Sequence, residues 1–127
     1  MTCSSASGAS MTWTIEYLPE AERDLQLIFD HLFNSYREFG DSPGEAIERA
    51  KQRILGIREG ARRLTATPSI GTLRPDVYPD VRFIRRNNAA IWFVANGERK
   101  TVLIVAIFFG PQDHTRHMLA RLLENGS

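Results

Sequence analysis

Trp13, Ile15 and Tyr17 alternate with Thr12, Thr14 and Glu16, the period-two rhythm of a strand with one buried face. From Pro19 the rhythm changes. Ala21, Leu25, Ile28, Leu32 and Tyr36 recur at steps of three and four, with Phe29 and Phe33 widening the stripe, which predicts a long amphipathic helix carrying Pro19 in its first turn. Glu20, Glu22 and Asp24 suit the positive end of its dipole. Gly40 ends this helix, and Ser42, Pro43 and Glu45 form the capping-box signature of a second. The stripe of the second helix, Ala46, Ala50, Ile54, Ile57, Ala61 and Leu64, is small enough for the two to pack closely as an antiparallel hairpin. Gly56 and Gly60, each roughly 1 kcal/mol worse than Ala in a helix interior, weaken its last turns.

Past Thr65 the punctuation is that of a sheet. Pro68, Gly71, Pro75 and Pro79 forbid a long helix and leave space for a short strand around residues 70–73. Residues 81–85 and 89–95 flank Arg86, Asn87 and Asn88 as a hairpin, Asn96 and Gly97 make the next turn, and residues 101–108 form the most apolar strand. Asn tolerates positive φ, which suits both turns. Pro111 closes the sheet and opens a last helix whose apolar side is Met118, Leu119, Leu122 and Leu123. The order β-α-α-β-β-β-α predicts an α+β fold: an N-terminal strand, an antiparallel helical hairpin packed on a small antiparallel sheet, and a short C-terminal helix.

Composition narrows this further. A chain of 127 residues, 43% hydrophobic and 24% charged, can bury one core and is globular rather than disordered. A single domain over residues 12–124 is expected. Residues 1–11, rich in Ser, Ala and Gly and ending in a second Met at position 11, read as a disordered leader or as a misassigned start. No apolar run approaches the roughly 18 residues of a membrane span, and the start lacks the blocks of a signal peptide. Cys3 is the sole cysteine, so no intrachain disulfide can form and a reducing cytoplasm is the natural compartment.

The net charge of +1 hides an asymmetry. Residues 1–69 hold eight basic and ten acidic side chains, net −2, whereas residues 70–127 hold eight and five, net +3. That field is mild for a protein binding nucleic acid by itself. Only Lys51 and Lys100 are lysines; the arginines favour bidentate carboxylate or phosphate contacts.

Ribose 2′-hydroxyl attack on RNA would need a base, an acid and cations for the phosphorane charge. His114 and His117 share a helix face if the last helix begins at Pro111, and Arg82 and Arg85, with Arg86, could supply the charge. Against this, His114 with Asp113 can cap the last helix while His117 packs beside Met118. Two histidines three apart, without a third ligand, rarely hold zinc, so neither metal nor cofactor is expected. His31 reads as a solvated surface residue. Arg82, Arg85 and Arg86 serve either to protect a strand edge or to meet a partner. Trp92 alternates with Ile91 and Phe93, so either face could be the core, and the adjacent Phe108 and Phe109 cannot share one face.

Three stretches in order carry a resemblance. Ala21, Asp24, Leu25 and Ile28 stand in PEAERDLQLIFDHL as an "A..DL..I" signature; Pro68, Gly71 and Arg74 form a "P..G...R" segment; and VRFIRRNNAAIWFVANGERKTVLIVAIFFG is closed by QDHTRHML. In this, residues 12–123 resemble the ParE branch of the RelE/ParE toxin superfamily. The strand end reads FFG where many relatives have a His before the Gly. The resemblance implies a cytoplasmic toxin of a toxin–antitoxin system that causes growth arrest as a DNA gyrase inhibitor and is neutralised by a ParD-like antitoxin. It implies no catalytic residues, and contacts to target or antitoxin from Arg74, Arg82, Arg85, Arg86, Trp92, Phe109 and Arg116. The alternative, from the RelE branch, is a ribosome-dependent mRNA endoribonuclease using His114, His117, Arg82 and Arg85.

Overall fold

The computed structural model describes residues 12–110 and 113–125. Its elements are β1 (Thr14–Tyr17), α1 (Pro19–Glu38), α2 (Pro43–Arg62) with a 3-10 turn at Arg63–Thr65, β2 (Thr72–Leu73), β3 (Val81–Arg86), β4 (Ala89–Asn96), β5 (Thr101–Phe109) and α3 (His114–Asn125). The expected leader over residues 1–11 and the expected helix opening at Pro111 lie outside the described residues. No helix among the described residues is long and apolar enough to cross a membrane.

The helix ends follow their local chemistry. At the end of α1 the Gly40 N–H bonds to the Arg37 carbonyl and the Asp41 N–H to that of Tyr36, with Gly40 at φ 103°, a left-handed stop that glycine adopts without strain. At the start of α2 the Ser42 hydroxyl accepts the Glu45 N–H at 3.2 Å while the Glu45 carboxylate accepts the Ser42 N–H at 2.9 Å. Ala21 on α1, and Ala46, Ala50 and Ala61 on α2, are wholly buried, so small side chains set the close approach of the helical hairpin and the sheet.

Five strands pair in the order β1-β5-β4-β3-β2. The β2-β3, β3-β4 and β4-β5 pairs are antiparallel, and β1 runs parallel to β5, with Thr14 opposite Thr101 and Tyr17 opposite Ile104. The sheet is therefore mixed, not wholly antiparallel. Alternation reports which side chains face the core and carries no information on strand direction. Asn87 and Asn88, at φ 54° and 64°, make the two-residue β3-β4 turn. The next turn spans residues 97–100 with its positive φ on Lys100, and Asn96 ends β4 with its side-chain oxygen accepting the N–H groups of Glu98 and Arg99.

Two cores result. Leu25, Ile28 and Leu32 of α1 and Ile57 of α2 pack on Ile84, Ile91, Phe93, Val102, Ile104 and Ile107 on one face of the sheet. On the other, α3 lays Met118 over Val81, Trp92, Ala106 and Phe108. One extra residue in β5, Val105, shifts the register between the Trp92–Ala106 and Phe93–Ile104 pairs, so Leu103 and Phe108 share the α3 face despite their odd separation.

Candidate functional site

The α3 face gathers the chemistry-bearing side chains. Met118 anchors α3, and this brings His114 against the sheet, where its Nδ1 accepts the Trp92 Nε1–H at 3.2 Å. The His114 ring also meets Phe83 edge-on at 4.7 Å and Trp92 at 5.6 Å. With Nδ1 occupied as an acceptor, the neutral ring carries its proton on Nε2. Burial against these rings holds the His114 pKa below the ordinary imidazole value; the nearby Arg85 and Arg74 guanidinium groups add to the depression and Asp113 opposes it. His114 is thus neutral at pH 7. His117, one turn on, stacks on Phe108 at 5.6 Å.

The arginines expected to contact target or antitoxin divide between the two faces. Arg74, in the β2-β3 loop, grips Asp76 through Nε at 3.0 Å and Nη2 at 2.7 Å, and its Nη1 donates to the Thr115 hydroxyl at 3.3 Å. That fork pulls the Asp76 pKa below the usual carboxylate range. Arg85 lies on the α3 face and donates to the Gly110 carbonyl at 3.3 Å. Arg82 and Arg86 lie on the hairpin side; Arg86 runs past the end of α2, where a Cβ on Gly60 would stand 3.2 Å from its own. Asn87 Nδ2 donates to the Gly56 carbonyl at 2.6 Å beside it, and α2, despite both glycines, stays helical to Arg62. Arg116 is exposed on α3.

Trp92 does not stand ready as a contact residue. It has no exposed surface, so a partner reaches it only by displacing α3. Phe109 is half-buried on the hairpin side, with the Arg53 guanidinium 5.4 Å from its ring centre, and Phe108 is buried under α3. The adjacent phenylalanines serve opposite cores.

A pair that periodicity alone did not single out closes the structure. Asp24 lies on the apolar stripe of α1 and is 6% exposed. Its carboxylate accepts Nη1 and Nη2 of Arg121 from α3, both at 2.7 Å, and the Ile107 N–H of β5 at 3.0 Å. Pairing between β1 and β5 ends at Ile104, so Asp24 satisfies an edge donor that no strand covers. Beyond it runs a groove of about 490 Å³ between α1 and the β5 edge, lined by Leu27, His31, Asn88, Phe109 and Gly110. The signal was present in the sequence as a carboxylate three residues from Ala21 on a stripe otherwise apolar.

Among the described residues no group of three His, Cys, Asp or Glu side chains is placed to hold a metal ion. The candidate surfaces are the His114 cluster on the α3 face and the β5-edge groove beside α1, with arginines around both.

One chain of the solved structure described as "Chromosomal ParDE TA system from P. aeruginosa" superposes with a TM-score of 0.62, covering 80% of this chain and 99% of that one at 21% identity. The isolated E. coli RelE toxin aligns more loosely, with a TM-score of 0.43 and 10% identity over 87% of this chain and 98% of that one. No protein-family model and no curated protein matches the chain. The likeness is one of fold: strand, helical hairpin, mixed sheet and C-terminal helix form an α+β domain with the fold of that ParDE-system chain.

Proposed function

We propose that this chain is the toxin of a type II toxin–antitoxin pair, acting in the cytoplasm as a non-enzymatic inhibitor of DNA gyrase and neutralised by a ParD-like antitoxin. The fold it shares with a chain of a ParDE system supports the toxin role. Binding rather than bond-breaking chemistry is favoured by one observation: His114 spends Nδ1 on Trp92 and packs its ring on Phe83 and Trp92. RNA cleavage by this group needs that nitrogen, or a second acid, free beside uncommitted cations. Arg74 is committed to Asp76, and His117 lies flat on Phe108. The antitoxin fits the β5-edge groove, where Leu27, His31 and Phe109 offer apolar and aromatic surface.

The assay is gyrase supercoiling with the purified chain. Inhibition that the ParD-like partner relieves is expected; an inert result with soluble, folded protein removes the gyrase assignment. The ribonuclease alternative retains one supporting observation, the closeness of the Arg85 and Arg74 guanidinium groups to His114. Primer extension on translated mRNA after induction separates the two, because cuts that vanish in His114→Ala and Arg85→Ala would establish the nuclease.

A further inference from the structure

A second groove, of about 460 Å³, opens on the α3 face beside the part of the sheet that α3 leaves bare. Val81, Val94, Leu103 and Val105 form its floor, and Leu122 walls one side. Tyr78 stands on the rim, 52% exposed, and on α3 the next residue after Leu122, Leu123, is 77% exposed. An apolar floor with an exposed aromatic on its rim, in a groove of ligand-binding size, marks a docking site.

Carboxylates outnumber cations around it. Glu20 lines the groove. Glu16 is the register partner of Leu103, and residues paired across parallel strands project to the same side, so its exposed side chain stands on the groove's face, one strand over from the floor. Asp80, also exposed, immediately precedes Val81. None of the three is in a close ion pair with another described residue, and Glu20 acts on Arg121 only through the longer-range field. Arg121, the cation in the lining, has both terminal nitrogens on Asp24.

We infer that this groove docks a segment of another protein carrying apolar anchors flanked by Lys or Arg. The floor desolvates the anchors, and the exposed Glu16 and Asp80 carboxylates, with Glu20, attract cationic flanks and repel acidic ones. The site lies apart from the β5-edge groove assigned to the antitoxin and holds whether or not gyrase is the target.

The test uses the full chain and two labelled helical peptides, one built of Leu and Lys with an apolar stripe, the other with Glu in place of each Lys. Fluorescence anisotropy should show the Leu/Lys peptide binding about tenfold tighter at low salt, the advantage shrinking as salt rises. Glu16→Lys with Glu20→Lys, both solvent-accessible and checked by circular dichroism, should abolish or reverse the preference. Tyr78→Ser should weaken the Leu/Lys peptide without removing the preference. Equal binding of both peptides, or binding indifferent to these variants, overturns the inference. So does concentration-dependent dimerisation in sedimentation that Tyr78→Ser abolishes, because a second copy of this chain would then be the occupant.

Discussion

Removing Asp24 or Arg121 should separate two jobs done by one carboxylate. In Asp24→Ala, Arg121 loses a bidentate partner but, being 24% exposed, recovers part of its hydration, while the Ile107 N–H loses its acceptor at the buried end of the β5-edge groove. An orphaned buried donor costs about 1–3 kcal/mol and a charge-assisted bond about 1.5–3 before solvent discounting, so a loss of about 3 kcal/mol is expected. In Arg121→Ala the carboxylate stays buried with one N–H for company, and the guanidinium contact 5.0 Å from the Phe108 ring centre goes too. Breaking a buried pair from one side costs about 3–5 kcal/mol, and partial exposure of Arg121 puts this case near the low end, about 3. If the pair acts as a unit, the double variant should lose about 4 kcal/mol rather than about 6, a coupling of about 2.

Urea denaturation followed by tryptophan fluorescence reads the cycle, and each single variant should melt roughly 10 °C below the parent. Amide exchange divides the two jobs. Asp24→Ala should speed exchange at Ile107, whereas Arg121→Ala should leave that amide protected and loosen α3 instead. A coupling below about 0.5 kcal/mol, or an Ile107 amide equally protected in both variants, would refute the reasoning.

Other perturbations follow from the same geometry. Because the His114 pKa is lower folded than unfolded, the unfolded chain binds more protons as pH falls below about 6.5, so stability drops there; His114→Gln should flatten denaturation midpoints measured across that window, and an unchanged slope would be the wrong result. Gly71→Ala forces a Cβ at φ 94° to within 2.6 Å of the Phe83 carbonyl oxygen and should cost about 2–4 kcal/mol by chemical denaturation. Gly56→Ala meets Asn87 only at ordinary contact distance, 3.5 Å, and should stabilise α2 by about 0.5–1 kcal/mol in the same assay. Ser42→Ala removes half of the capping box and should cost about 1 kcal/mol, read as a lower melting temperature.

What was legible in the sequence was local. The Ser42–Glu45 box, the Gly40 stop and the Asn87–Asn88 turn each lie within a few residues, where spacing and the chemistry of single side chains decide the conformation. Pairing over distance was not legible. The parallel direction of β1 depends on which edge remains open after β3, β4 and β5 have paired, and Asp24 meets Arg121 across 97 positions. The Asn96–Gly97 dipeptide shows a competing local choice: the Asn96 side chain accepts two following N–H groups, so the turn lengthens and the left-handed residue becomes Lys100.

The candidate site was half legible for a related reason. His114, Arg85 and Trp92 stood out as residue types, but their roles depend on whether α3 covers the second face of the sheet. The adjacent Phe108 and Phe109 already demanded two apolar layers, since a strand sends neighbours to opposite sides. With one layer supplied by the helical hairpin, α3 is the element among the described residues that supplies the other, through Met118 and Leu122. Once α3 is there, Trp92 becomes core and His114 its hydrogen-bond acceptor. The same packing that buries Trp92 and seats His114 on it leaves Leu103, Val105 and Tyr78 lining the groove beside α3, on the face that also carries Glu16 and Glu20.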